Sequence, residues 1–262
     1  MQKRHQDNNL YFEELSASAR KYVLPYLRQV KQIDENTSIL EIGCGQGGNL
    51  LPFLEAGCNC IGMDISQDKI ESGQAFFKKH PNSDKIELFY DNVYEMNTEN
   101  FKKSDIIMLR DVIEHLPDHE QLMKLIKPLL KDDGIVYFAF PPWRMPFGGH
   151  QQVLNSKFLS KLPFYHILPR PIFRWMLKLG KADEGEINGM MGNKQTGISI
   201  AKFQKLVKQN WYELVKTTDW FINPNYEVKF NLKPRKLYGI FKIPYFRDFF
   251  TTSYHAIIKI KN

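Results

Sequence analysis

Apolar and polar positions alternate in two rhythms along the first half of the chain. Short apolar runs typical of buried strands lie at 37–42, 58–64, 85–90, 105–109 and 134–140. Helical periodicity falls between them at 49–55, 67–79 and 118–130, and an amphipathic helix with a kink or break at Pro25 precedes them at 10–31. Strands that alternate with helices predict a parallel α/β sheet with helices on both faces, which binds ligands at the carboxyl ends of its strands.

The rhythm stops after Pro141-Pro142 and resumes near residue 199. Residues 143–198 are rich in proline, tryptophan and glycine, and we interpret them as a helical cap followed by a mobile loop. A helix at 199–209 with Ser199 as its N-cap and strands at 212–221 and 254–260 complete the pattern. The sequence therefore predicts one domain, 1–262, which consists of an N-terminal helical segment (1–35), a core (36–142), an inserted cap (143–198) and a C-terminal completion of the sheet (199–262).

Composition supports this interpretation. The 262 residues are 43% apolar and 25% charged, with no apolar run of membrane-spanning length, and residues 1–7 lack the apolar core expected of a secretory signal. Three cysteines match no zinc or redox spacing, so we expect a cytoplasmic protein and no metal site. The net charge of +7 comes from residues 201–262, where 12 cations face 4 acids. Such a region can attract nucleic acid, an anionic membrane or an acidic substrate, although solvated lysines explain it more simply.

A glycine-rich turn follows the first strand. Gly43, Gly45 and Gly48 match the dinucleotide fingerprint, which alone is weak evidence. Glu41, just before the turn, argues against a pyrophosphate ligand because a carboxylate would repel it, whereas an ammonium or sulfonium would be attracted. Asp64 closes the second strand and suits both interpretations, because it can accept hydrogen bonds from ribose hydroxyls.

Two more motifs separate the interpretations. Asp91 closes the third strand and is followed by Asn92 and Val93, and the segment 110–118 reads Arg-Asp-Val-Ile-Glu-His-Leu-Pro-Asp after the fourth strand. In this order, the four features resemble the class I S-adenosylmethionine-dependent methyltransferases of small molecules. The resemblance implies a Rossmann-like, seven-stranded sheet.

The resemblance also implies a set of contacts to the cofactor S-adenosylmethionine. The glycines would let the backbone approach its methionine portion, Glu41 would organise the turn or meet the amino group, and Asp64 would hold the ribose. Arg110 and Asp111 would line the methyl side, although Arg110 departs from the family pattern and could face solvent or an acidic substrate. The implied set is Glu41, Gly43, Cys44, Gly45, Gly47, Asp64, Ile65, Asp91, Asn92, Val93, Arg110, Asp111 and His115.

Methyl transfer requires a base only when the acceptor is a hydroxyl or a protonated amine. His150, just beyond the fifth strand, is our candidate for that base, and His115 is the second. A structural role for either histidine is the simpler alternative.

The acceptor is left open between small-molecule, lipid-like and saccharide compounds. The segment 163–179 is apolar and aromatic with interspersed cations, which predicts a cap helix packed on the sheet or, alternatively, a lipophilic pocket walled by Trp143, Phe147 and Trp175 or peripheral membrane contact. Nucleic acid is disfavoured because residues 110–113 lack an Asn-Pro-Pro-Tyr-type motif and the basic tail lacks an aromatic ladder. A dehydrogenase-like binder and a catalytically silent cofactor-binding module are the other function classes.

Overall fold

The computed structural model of the protein describes residues 8–261, so the first seven residues of the predicted N-terminal helical segment lie outside it. Over this range the chain forms eight strands and nine α-helices. The strands are β1 (Ser38–Ile42), β2 (Asn59–Asp64), β3 (Ile86–Tyr90), β4 (Ser104–Arg110), β5 (Leu130–Phe140), β6 (Tyr212–Ile222), β7 (Arg235–Lys236) and β8 (Ser253–Ile260). The helices are α1 (Asn8–Ser18), α2 (Leu24–Arg28), α3 (Leu51–Glu55), α4 (Gln67–Phe77), α5 (His119–Leu125), α6 (Arg170–Leu179), α7 (Glu184–Thr196), α8 (Ile200–Gln209) and α9 (Asn225–Phe230).

All eight strands join one sheet in the order β3-β2-β1-β4-β5-β8-β6-β7. The first five are parallel, and β8, β6 and β7 continue the sheet antiparallel. The α/β prediction is confirmed, but the predicted count of seven strands is wrong, because the two-residue β7 pairs with the edge of β6. Chain order reverses on either side of β1, and the crevice at such a switch point is where sheets of this kind bind ligands.

Two hydrophobic clusters cover the two faces of the sheet. Adjacent residues on a strand enter opposite clusters, as Ile39 and Leu40 on β1 and Tyr137 and Phe138 on β5 do. Burial on both faces explains why these strands are almost continuously apolar. One face carries α5 and α8, and the other carries the N-terminal helices with α3 and α4.

Some element boundaries differ from the sequence prediction. The helix expected over 118–130 ends at Leu125, and Leu130 already belongs to β5, which begins before the predicted Gly134. The helix at 10–31 is interrupted by a π turn, Ala19–Val23, just before Pro25 enters α2. Ser199 is the N-cap of α8, as predicted, and its hydroxyl accepts a hydrogen bond from the Lys202 N–H at 3.1 Å.

The region 143–198 contains its own small core. Phe173 and Leu177 of α6 are buried against Ile187 and Met190 of α7, so α6 packs within this region and not on the sheet as predicted. The glycine-rich stretch forms α7 and is not the predicted mobile loop, because a capping box between Asp183 and Glu186 stabilises the start of that helix.

The two ends of this region meet beside the sheet. The Trp143 N–H donates to the Ile198 carbonyl at 2.8 Å, and the Trp143 ring lies where a Cβ on Gly197 would be. Adjacent ends are what an insertion into the α/β pattern requires, and the cap boundaries at 143 and 198 stay a prediction compatible with this contact.

Gly48 provides a test of how α1 packs on the turn after β1. A Cβ at Gly48 would lie 2.8 Å from the Phe12 carbonyl oxygen and 3.0 Å from the Leu15 Cβ, so Gly48→Ala must displace α1. We expect Gly48→Ala to lower the free energy of unfolding by about 1–3 kcal/mol, measured by urea titration.

The matched control is Gly189→Ala in α7, where no atom lies within 4 Å of the added Cβ. We expect this change to be neutral or to stabilise the protein by up to about 1 kcal/mol, since alanine is the better helix former. Equal effects of the two substitutions would contradict the close packing of α1 on Gly48.

Candidate functional site

The turn after β1 is shaped by glycines at positive φ. Gly43, Gly45 and Gly47 have φ of 72°, 57° and 79°, a region that residues with a Cβ rarely adopt. A Cβ on Gly43 would lie 2.4 Å from the Val112 side chain, which follows β4. The turn therefore lies against the segment that carries the predicted methyl-side residues.

Asp64 at the end of β2 closes this turn from the side. Its carboxylate accepts hydrogen bonds from the Gly45 N–H at 2.7 Å and the Ser66 N–H at 2.9 Å. Each oxygen keeps a lone pair for a further donor such as a ribose hydroxyl. Next to it, Ile65 is 67% exposed, an apolar side chain placed where the flat face of a base could cover it.

The end of β3 continues the same edge. The Asp91 N–H donates to the Asp64 carbonyl at 3.1 Å, and the Asp91 carboxylate accepts the Asn92 N–H at 2.7 Å. The Asn92 N–H is therefore already bonded within the protein. Val93 is buried in the hydrophobic core on one face of the sheet, next to this edge.

Two residues of the predicted set point away from the edge. Cys44 is buried in the cluster beneath the turn, so its thiol does not face the edge. Its N–H donates to the Met63 carbonyl at 3.0 Å. Glu41 is fully buried, and its carboxylate accepts from the Asn49 side chain at 2.6 Å. Burial raises the pKa of Glu41 to about 8. Of the two roles predicted for Glu41, organising the turn fits its bond to Asn49, and contact with an amino group stays a prediction, since its other carboxylate oxygen has no partner among the described residues.

Arg110 is buried, and its position differs from all those predicted. The predicted roles at the methyl side, in solvent or on an acidic substrate are wrong, because its guanidinium is buried and donates to the side chains of Asn49 at 2.6 Å, Ser18 at 2.8 Å and Asn225. These partners lie after the turn, at the end of α1 and at the start of α9. We call this group of four side chains the Arg110 network.

The strand end beyond Arg110 bends sharply. Asp111 is exposed and has a φ of 55°, which is uncommon for a residue other than glycine, and its N–H donates to the Ala139 carbonyl at 2.8 Å. Tyr11 of α1 lies nearby. Burial, reinforced by the charge of Asp111, raises the pKa of Tyr11 to about 12, so the phenol stays protonated as a donor. Sequence patterns missed Tyr11, because only the packing of α1 brings it to the sheet.

His115 and His150 meet at the carboxyl ends of β4 and β5. Their ring centroids are 5.0 Å apart, and His115 Nδ1 lies 3.0 Å from the Asn193 side-chain oxygen of α7. His150 has a φ of 58°. Burial, together with the neighbouring His115, lowers the pKa of His150 to about 4, so its ring is neutral at ordinary pH.

Glu114 completes this group and was not singled out from the sequence. It is 5% exposed, and neither carboxylate oxygen has a hydrogen-bond partner among residues 8–261. Ligand atoms of Glu114, His115 and His150 lie within 4.8 Å of one another, a set that could hold a divalent ion. The expected absence of a metal therefore stays a prediction.

Helix α7 of the cap contacts Glu114 and His115 directly. The Thr196 hydroxyl donates to the Glu114 carbonyl at 2.5 Å, and Asn193 contacts His115. Helix α7 thus lies over the segment after β4. Trp143 and Trp175 do not form a common wall, since Trp143 packs on His166 and Gly197 while Trp175 is exposed on α6.

Comparison with known proteins decides the family. A profile described as a methyltransferase domain matches residues 11–165, from α1 through β5 into the cap. The chain belongs to the methyltransferase domain family. The recognition drawn from the sequence motifs is confirmed.

Relatives and solved structures agree with this assignment. The methyltransferase is 30% identical over 105 residues to a ubiquinone biosynthesis O-methyltransferase from Pelagibacter ubique (strain HTCC1062), an alignment that covers 40% of this chain and 42% of the relative. It is 26% identical over 122 residues to the enzyme of the same name from Actinobacillus pleuropneumoniae serotype 7 (strain AP76), covering 44% of this chain and 50% of the relative. The chain thus spans about half the length of the curated relatives that it matches.

Solved structures show the same fold across nearly the whole methyltransferase. A putative sarcosine dimethylglycine methyltransferase from Galdieria sulphuraria superposes with a TM-score of 0.60 at 14% identity, covering 92% of this chain and 85% of that one. PKMT2 from Rickettsia typhi in complex with AdoHcy gives a TM-score of 0.58 at 17% identity, covering 93% and 54%. Among residues 8–261, no helix has the length and hydropathy needed to cross a bilayer.

The Arg110 network supplies a stability prediction. Arg110→Ala leaves the Asn49 oxygen buried without a donor and removes the hydrogen bonds from Arg110 to Ser18 and Asn225, which stay bonded to each other. We therefore expect a loss of about 3 kcal/mol or more in the free energy of unfolding. Arg110→Lys should recover only part of it, because one ammonium cannot reproduce the planar fork of donors.

Arg20 provides the control for that prediction. It pairs with Glu55 at 2.6 Å on the surface, and Arg20→Ala should cost less than about 1 kcal/mol. Denaturant unfolding of the three variants measures the difference. Similar small losses for Arg110→Ala and Arg20→Ala would show that the buried network contributes little.

Proposed function

We propose that this methyltransferase transfers a methyl group from S-adenosylmethionine to an oxygen or nitrogen atom of a small-molecule acceptor. The observation that carries the proposal is the edge formed by the glycine turn, Asp64 and Asp91, which places two carboxylates beside the turn. Curated relatives of the matched half are named as O-methyltransferases, which supports oxygen as the acceptor atom.

The residues of the edge fit the cofactor. Asp64 keeps acceptor capacity for two hydroxyls, Ile65 offers an exposed apolar surface to a base, and the glycines leave room beside the turn. Bound S-adenosylmethionine supplies a sulfonium methyl group that a nucleophile attacks in line. Transfer would form an acceptor–carbon bond and break the carbon–sulfur bond, with the sulfur released as the neutral thioether of S-adenosylhomocysteine.

His150 is the proposed general base for a hydroxyl acceptor. Its ring lies at the carboxyl end of β5 and is neutral because its pKa is lowered to about 4. A neutral imidazole nitrogen can accept the hydroxyl proton as the oxygen–carbon bond forms. His115 and Glu114 have ligand atoms within 4.8 Å of those of His150.

The proposed acceptor is lipid-like or saccharide-like, and it would approach beneath the cap. Helix α6 supports a lipid-like acceptor or peripheral membrane contact through 163–179, because Ile172, Trp175 and Leu179 lie exposed along one side of it. The cations beside that stripe are partly neutralised, since Glu184 pairs with Arg174 at 2.9 Å and Lys178 at 3.4 Å.

Asp64 tests the cofactor part of the proposal. Asp64→Asn removes one acceptor and the charge, so we expect the affinity for S-adenosylhomocysteine to fall by about 1–3 kcal/mol in calorimetric titration. Asp132→Asn is the control, since Asp132 is fully exposed near the start of β5. An unchanged affinity in Asp64→Asn would remove Asp64 from the site.

His150 tests the catalytic part once a screen with methyl-labelled S-adenosylmethionine against phenols, quinones and sugars has found an acceptor. His150→Ala should leave the affinity for S-adenosylhomocysteine unchanged and lower kcat by about 100-fold or more. In the unaltered enzyme, kcat should show no inflection near pH 6.5 and should fall only near pH 4, where the ring gains its proton.

Chelation separates a base from a metal ligand. If His150 acts as a base, dialysis against EDTA leaves turnover unchanged. Loss of turnover that added Mg²⁺, Mn²⁺ or Zn²⁺ restores would contradict the base and assign Glu114, His115 and His150 to a metal ion. Absence of transfer to every acceptor, with S-adenosylhomocysteine still bound, would favour a silent binding module.

A further inference from the structure

Nine consecutive residues between β7 and β8 are exposed, and most are apolar. They are Tyr238, Gly239, Ile240, Phe241, Lys242, Ile243, Pro244, Tyr245 and Phe246, which we call the apolar loop. Ile240 is 75% exposed and Tyr238 is 68% exposed. Single exposed apolar side chains are ordinary, but a contiguous group of six is a feature of surfaces that bind something.

The apolar loop is held in place at both ends. Leu237 before it is buried, and its N–H donates to the Asp219 carbonyl at 2.8 Å. Arg247 after it donates to the Gln204 side chain at 2.9 Å and lies 3.7 Å from the Asp219 carboxylate. Both ends of the loop are therefore anchored to the fold. The loop between them projects into solvent, and a Cβ on Gly239 would meet no atom within 4 Å.

The chain segment that contains the apolar loop carries charges of one sign only. Residues 228–247 contain six lysines and arginines and no aspartate or glutamate. Lys233, Arg235 and Lys236 are exposed just before the loop, and Lys242 is exposed within it. This segment holds half of the cations in the basic C-terminal part of the chain. The positive charge of that part is therefore concentrated beside the apolar loop.

We propose that the apolar loop and the cations beside it dock on the surface of an anionic phospholipid bilayer. Cations are attracted to acidic lipid headgroups, and tyrosine and phenylalanine side chains favour the boundary between headgroups and acyl chains. Protein interfaces are depleted in lysine, which makes a protein partner the poorer match. Insertion stops at headgroup depth, because the irregular backbone of the loop cannot leave its polar groups unpaired in hydrocarbon.

The surface is separate from α6 but adjacent to it. The Phe164 ring, before α6, lies 6.1 Å from the Phe249 ring, and Arg144 lies 4.0 Å from the Tyr245 ring. Near the loop, the buried Asp219 lies 3.7 Å from both Lys242 and Arg247, and Glu184 pairs with Arg174 and Lys178 of α6. The exposed Lys233, Arg235 and Lys236 should therefore contribute the larger part of any attraction. The inference extends the peripheral membrane contact proposed above and does not depend on methyl transfer.

Vesicle flotation tests the inference with the full chain. We expect binding to vesicles of equal parts phosphatidylcholine and phosphatidylglycerol, and at least about tenfold weaker binding to phosphatidylcholine alone. Ile240→Ser/Ile243→Ser should lower the partition coefficient about tenfold or more, since it removes two side chains that would enter the headgroup layer. Lys233→Gln/Arg235→Gln/Lys236→Gln should abolish most of the preference for phosphatidylglycerol.

Matched controls lie elsewhere on the surface. Leu214→Ser/Val215→Ser on β6 removes two exposed apolar side chains, and Lys78→Gln/Lys79→Gln after α4 removes two exposed cations. Both should bind vesicles like the unaltered protein. Every loop variant should keep the affinity for S-adenosylhomocysteine, which shows that it is folded and separates this inference from the cofactor proposal.

Several results would overturn the inference. It fails if anionic vesicles do not float the protein, or if the loop variants float as well as their controls. It also fails if only Trp175→Ser releases the protein, which would assign the contact to α6. Binding of single-stranded RNA or self-association that the loop variants abolish, without vesicle binding, would assign the surface to another partner.

Discussion

The Arg110 network is the interaction on which the site depends. A guanidinium is costly to bury, and here three side chains from distant segments each supply an oxygen to it. Asn49 in turn donates to Glu41, so the end of β1, the segment after the glycine turn, α1 and α9 are joined through one cation. Buried side chains behind the glycine turn thus connect it to α1 and α9. Tyr11 and the packing of α1 on Gly48 follow from the same arrangement, because α1 must lie against the turn for Ser18 to reach Arg110.

Local patterns predicted the sheet well. Apolar runs located the five parallel strands to within a few residues, since strands buried on both faces leave a strong local signal. The position of the acids at the ends of β2 and β3 could also be predicted, because parallel strands end at the same edge of the sheet. The end of α5 was misplaced although Pro128 is a helix-breaking signal, and the start of β5 was misplaced because the polar residues 131–133 interrupt its apolar run.

What the sequence could not reveal depends on partners far along the chain. Arg110 looked like an exposed departure from the family pattern, and its partners lie 61, 92 and 115 residues away. Helix α7 was hidden by its glycines, although the Asp183 and Glu186 capping box was present in the sequence as a signal. Glu114 stood within a recognised motif, but its isolation in the interior is a property of packing around it.

The central claim is that the edge built from the glycine turn, Asp64 and Asp91 recognises a nucleoside with a cationic or neutral sulfur centre and not a dinucleotide. Calorimetric titration of the unaltered protein with S-adenosylhomocysteine and, separately, with NAD tests it most directly. The account predicts saturable binding of S-adenosylhomocysteine at one site and no heat with NAD. Binding of NAD, or no heat with S-adenosylhomocysteine, would contradict it.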